Sequence, residues 1–143
     1  MSLIRDDDEA CLVELHARGR ELLERYRELL DDDGAPAAVA EALSAVVAAR
    51  SDRLDALAGR LRARDALPSA GDPDRAFIEA LGDLLGSADD ALVDRLVEAE
   101  TRWTGLLDDA GELEWSDEDR AALDRLARHI EASIERFDSA RRG

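Results

Sequence analysis

Lysine is missing from this chain: all 19 basic residues among its 143 are arginine. Aromatic residues are scarce, at 3%, so a core must come from Leu, Val, Ile and Ala, which suits helix-on-helix packing better than a β-sandwich. A single cysteine, Cys11, excludes an intrachain disulfide and a cysteine-based zinc site. Its neighbours Leu12, Val13 and Leu15 are apolar, so it reads as a small buried core residue. No window is apolar enough for a membrane span, and the first residues, Met-Ser-Leu-Ile-Arg-Asp-Asp-Asp, carry acids where a signal peptide wants bases. A cytoplasmic protein is expected. No strand pattern, nucleotide loop, Ser-His-Asp arrangement or nucleic-acid stripe occurs.

What is plentiful is acid. The chain holds 35 acidic residues, Asp outnumbering Glu by 21 to 14, for a formal net charge of −16. Such a surface repels itself unless salt screens it, and it repels nucleic acid and anionic membranes, so neither is expected as a partner. A high-salt host would account for the excess; so would ordinary acidic drift. At 45% hydrophobic residues the length suits one globular domain spanning 1–143.

Apolar spacing predicts four long helices. The first, about 8–30, carries Leu12, Leu15, Gly19, Leu22, Tyr26 and Leu29, spaced 3, 4, 3, 4 and 3, broadened by Leu23 and Leu30. Asp31-Asp32-Asp33-Gly34 stops it, and Pro36 fits the first turn of the next. The second, about 36–64, carries Leu43, Val47, Arg50, Leu54, Leu57 and Leu61, with an arginine inside the seam. Residues 67–73 read as a loop, and 73–85 as a short helix. A third long helix, about 89–108, offers two registers: Val93, Leu96, Glu100, Trp103 and Leu107, or Leu92, Leu96, Ala99, Trp103 and Leu106. After a turn over 111–115, Ser116 caps a last helix, about 117–141, with acids in its first turn and Leu123, Leu126, Ala127, Ile130, Ile134 and Phe137 inward.

Three stretches carry a resemblance: Ala70-Gly71-Asp72-Pro73 before the short helix, Leu96-Val97-Glu98-Ala99-Glu100 before an aromatic, and Ser116-Asp117-Glu118-Asp119 opening the last helix. Together they resemble an uncharacterised bacterial family of ferritin-like four-helix proteins in the ferritin and rubrerythrin superfamily. The resemblance implies an all-α, ferritin-like up-down four-helix bundle with a long crossover containing the short extra helix. It implies no agreed activity.

Ferritin-like di-iron proteins place one Glu on each of two helices and Glu-x-x-His on each of the others, giving four carboxylates and two imidazoles. No Glu-x-x-His occurs here. The second helix has Arg50 where a ligand is expected, and in the last helix His129 precedes Glu131 at the wrong spacing. The remaining candidates are His16, Glu24, Asp52, Glu100 and His129, with His16 and His129 each read as a hydrogen-bonded core or boundary residue. No metal and no cofactor is expected, iron or manganese in a degenerate site being the alternative. Arg50 has two placements. It pairs with Glu100 in the bundle interior, with His16 or His129 nearby, because a buried guanidinium needs a carboxylate; or it runs its charge out along the helix surface.

The function expected is therefore non-enzymatic: a self-associating scaffold, most simply a homodimer, or a partner-binding one. Tyr26, Trp103 or Trp115 would mark an interface if exposed beside leucine. The alternative is a ferritin-like oxidase or storage protein. Two further readings are a phosphotransfer bundle using His16, from the run His16-Ala17-Arg18-Gly19, and a secretion-type chaperone.

Overall fold

The computed structural model describes residues 7–32, 35–66 and 89–142. The expected loop over 67–73 and short helix over 73–85 lie outside the described residues. Four helices make up the rest: α1 (Asp7–Asp31), α2 (Ala37–Ala63), α3 (Asp89–Ala110) and α4 (Asp117–Arg142). The architecture is an all-α four-helix bundle, and no strand occurs among the described residues.

Each helix buries the face its spacing predicts. In α1, Leu12, Leu15, Leu22, Tyr26 and Leu29 are all buried, and Leu23 widens the stripe. In α3 the two registers are not alternatives. Leu92, Val93, Leu96, Ala99, Glu100 and Trp103 are all buried, so the helix presents the union of both, while Leu106 and Leu107 sit half-buried at its edge. In α2, Val46 rather than Val47 points fully inward, and in α4 Ala127 and Ile134 lie at the margin. Cys11 is half-buried at the edge of the core rather than inside it, and burial beside Asp109 and Glu14 pushes its thiol up to about 11.

Local chemistry sets the ends. Pro36 stands just before α2, outside its first turn, and its carbonyl accepts from the amide of Ala40 at 2.8 Å. α2 ends with Asp65 in the left-handed region, φ 59°, while Ala66 donates to the Leu61 carbonyl and Asp65 to that of Arg62. Those two bonds are the Schellman closure, with aspartate where glycine is usual. The Gly111 amide donates to the carbonyls of Leu107 and Asp108 at the end of α3. The Trp115 indole N–H then reaches back to the Ala110 carbonyl at 2.7 Å. The Ser116 hydroxyl accepts from the amide of Asp119 at 3.2 Å and caps α4.

Cross-links give the helix directions. Asp8 meets Arg64 and Arg27 meets Ser51, so α1 and α2 are antiparallel. Trp103 reaches Leu15 and Tyr26 reaches Glu100, so α3 also opposes α1. Arg60 meets Asp119 and Arg50 meets His129, so α4 opposes α2. The order is therefore up, down, down, up: α1 and α4 each pack between α2 and α3, and α2 and α3 run parallel on opposite corners. The end of α2 and the start of α3 consequently lie at opposite ends of the bundle.

Candidate functional site

The α2 and α3 stripes each carry one charged residue, and these two meet at the centre. The Arg50 guanidinium binds the Glu100 carboxylate through two nitrogens, Nη1 to Oε2 at 2.8 Å and Nη2 to Oε1 in a still closer contact. Both side chains are fully buried. Such a pair is stable only if its remaining donors and acceptors are used, because desolvating two ions costs several kcal/mol each.

They are used. Arg50 Nε donates to His129 Nε2 at 3.0 Å, and Nη2 also lies 3.4 Å from Ser133 Oγ, whose own hydroxyl donates to the His129 carbonyl. Tyr26 donates its phenol proton to Glu100 Oε2 at 2.7 Å. The guanidinium carbon stands 4.8 Å from the Trp103 ring centroid and 5.8 Å from that of Tyr26, within cation–π range. Phe137 meets Tyr26 edge to face at 5.8 Å. All four helices thus contribute to one polar centre, lined by three aromatic rings.

The protonation states follow. Burial disfavours the charge on Arg50, but Glu100 outweighs it and the pKa is raised. Burial and the Glu100 charge hold the Tyr26 phenol well above its ordinary value. For His129, burial and then the cations Arg50 and Arg53 push the imidazole down to about 3. Because Nε2 accepts from Arg50, the ring is neutral with its proton on Nδ1.

Glycine makes this geometry possible at one point. A Cβ on Gly19 would lie 2.5 Å from Trp103 Cζ2 and 2.6 Å from Leu54 Cδ2. Without it the indole comes close against α1 and its N–H donates to the Leu15 carbonyl at 3.0 Å.

The other candidate residues are elsewhere. His16 is buried but takes no part in the centre; burial, then Arg20, lowers its pKa, and its Nδ1 has no hydrogen-bond partner among the described residues. Glu24 and Asp52 are exposed. Ser133, Tyr26 and Trp103 are members of the centre that spacing assigns only to the seams or leaves unmarked. Their sequence signals are slight: Trp103 sits on the same inward stripe as Glu100, Tyr26 is the one polar-tipped side chain on the stripe of α1, and Ser133 follows His129 by one turn.

A second polar cluster ties one end of the bundle. Asp119 accepts from Arg60 at 2.7 Å and Arg64 at 3.2 Å, and Arg64 also binds Asp8 at 2.7 Å. Arg64 lies 5.7 Å from the Trp115 ring centroid. Burial opposes the Asp119 charge, but the two arginines hold its pKa below the usual carboxylate value.

The centre does not fit a di-metal site. It offers one carboxylate and one imidazole, against four and two, and the imidazole nitrogen is engaged by a guanidinium. Among the described residues no three His, Cys, Asp or Glu side chains are grouped to hold a metal ion. The centre is also closed: Arg50, Glu100, Tyr26 and Trp103 have no exposed surface for a substrate to reach. What these elements define is a four-helix bundle with an internal, hydrogen-bonded ion pair. No family model, curated protein or solved structure matches the chain. No helix among the described residues is long and apolar enough to cross a membrane.

Proposed function

We propose that this is a non-enzymatic, cytoplasmic helical scaffold, ferritin-like in topology, that self-associates or binds protein partners and has lost the di-metal site of its type. The observation that carries the reading is the Arg50–Glu100 pair. A guanidinium fixed on the central carboxylate supplies the positive charge that a bound cation would otherwise supply, and it does so from within the chain. The up, down, down, up order of the helices supports the topological half. The closed centre supports the absence of chemistry there, and it leaves the helix faces as the functional surface.

Two measurements on the purified full chain test this. Elemental analysis is expected to find no stoichiometric iron or manganese; one or two ions per chain would restore the oxidase or storage reading. Sedimentation velocity over a wide concentration range is expected to show a dimer. A monomer throughout would leave partner binding as the scaffold's only role.

A further inference from the structure

Between the C-terminal half of α3 and the N-terminal half of α4 lies an open cleft of about 250 Å³. Its apolar lining comes from Leu107, Trp115, Leu123 and Ala127. The Trp115 N–H is already spent on the Ala110 carbonyl, so the ring contributes carbon surface without an unmet donor. The volume lies below the roughly 300–1,000 Å³ of small-molecule sites and suits one or two side chains.

The rim is charged with one sign in excess. Asp108 stands on the α3 side, and Asp124 and Glu131 stand two turns apart on α4, against the single cation Arg120. All four are exposed, and none of the three acids forms an ion pair with a described residue. Elsewhere on the described surface some carboxylates are paired, Glu14 and Glu21 on Arg18, Glu28 on Arg25 and Glu98 on Arg95. Others, such as Glu24, Glu41 and Asp52, are exposed without an ion pair to a described residue, so what marks Asp108, Asp124 and Glu131 is their place on the rim of an apolar slot. An apolar slot bordered by unspent carboxylates is complementary to a segment with apolar anchors and flanking cations. A second copy, itself at −16, and an anionic lipid surface both carry the wrong charge for it.

We propose that this cleft docks an amphipathic helix of a different protein, which inserts one or two apolar side chains and sets Arg or Lys against Asp108, Asp124 and Glu131. The proposal rests on the scaffold reading and names the chemistry of its partner.

The test titrates the full chain into a fluorescently labelled amphipathic peptide of about 15 residues, four turns of helix built from Leu and Lys, and reads anisotropy at physiological salt. Binding is expected, with at least about a tenfold loss when Leu is replaced by Ser and none detected when Lys is replaced by Glu. The triple variant Asp108→Asn, Asp124→Asn, Glu131→Gln should weaken binding by about tenfold or more. The triple variant Glu24→Gln, Glu41→Gln, Asp52→Asn, with the same change in net charge on exposed sites of α1 and α2, should not. Ala127→Met, which fills the cleft and removes no charge, should also weaken binding while leaving the thermal midpoint near that of the parent chain. Equal weakening by both triple variants, or full binding to Ala127→Met, overturns the proposal in favour of diffuse attraction to an acidic surface. Absence of binding to the parent chain overturns it outright. Metal content and sedimentation do not enter this titration, so the cleft can fail while the scaffold reading stands.

Discussion

Glu100 and Arg50 are costly to separate and cheap to remove together. Glu100→Ala leaves a desolvated guanidinium facing a phenol and an indole, and is expected to cost about 3–5 kcal/mol. The double change Arg50→Met, Glu100→Leu removes both ions and is expected to be neutral or stabilising by about 1–4 kcal/mol. Urea denaturation of the parent, single and double variants checks both figures; a loss below about 1 kcal/mol for Glu100→Ala would mean that water reaches the centre. Gly19→Ala forces a methyl group into Trp103 and Leu54 and should cost about 1–3 kcal/mol by the same measurement.

His129 adds a pH dependence whose sign follows from its neutral state. Its folded pKa, about 3, lies below the ordinary 6.5. Between those values the unfolded chain takes up a proton that the folded chain refuses, so stability rises with pH. That contribution is complete above about pH 6.5 and is lost progressively on acidification towards pH 3. His16, also lowered, acts in the same direction. His129→Gln keeps an acceptor for Arg50 without the titration, and its stability is expected to fall less between pH 6.5 and 4 than that of the parent chain.

At the level of the helices, end signals act residue by residue. Asp65 holds a left-handed conformation that costs an L-residue energy and glycine almost none. Asp65→Gly is therefore expected to stabilise by about 0.5–1 kcal/mol, read as a higher urea midpoint with an unchanged slope. Asp65 is exposed, and its side chain forms no hydrogen bond or ion pair with a described residue that this change would remove.

Much of this level was legible in the sequence. The seams of α1 and α4, the cap at Ser116 and the stops near Gly111 follow from spacing and capping rules that operate within one helix. Arg50 and Glu100 stood out because each interrupts an apolar stripe, and a buried charge of one sign requires the other. What one helix cannot encode stayed hidden. Val93 and Leu92 could not be ranked, because both faces of that stripe find partners once α1 and α4 are in place. Ser133 is a small residue with no periodic signature. The need for glycine at position 19 arises from an indole 84 residues away in sequence.

At the scale of the whole molecule the dominant quantity is the net charge of −16. Helices crowded with carboxylates repel one another through solvent, and mobile ions relieve that repulsion. From 0.1 M to 1 M KCl the screening length falls from about 10 Å to about 3 Å, so the denaturation midpoint is expected to rise. The Glu100→Ala penalty should change little over the same range, since salt does not penetrate a closed centre. Calorimetry at the two salt concentrations separates the effects.

The convergence of all four helices on Arg50 also bears on how the chain assembles. Its carboxylate lies 50 residues further along the chain, and its imidazole 79. A docked pair that includes only one of α2 and α3 traps either a bare cation or a bare anion. The charge deficit closes only when α2 and α3 arrive together, and the guanidinium's remaining donor is met only when α4 brings its imidazole. Partly built bundles are thereby penalised at the spot where apolar cores are most forgiving of wrong pairings and sliding registers. The ion pair acts as a proofreading step for the fold, trading depth of the native well for intolerance of its near neighbours.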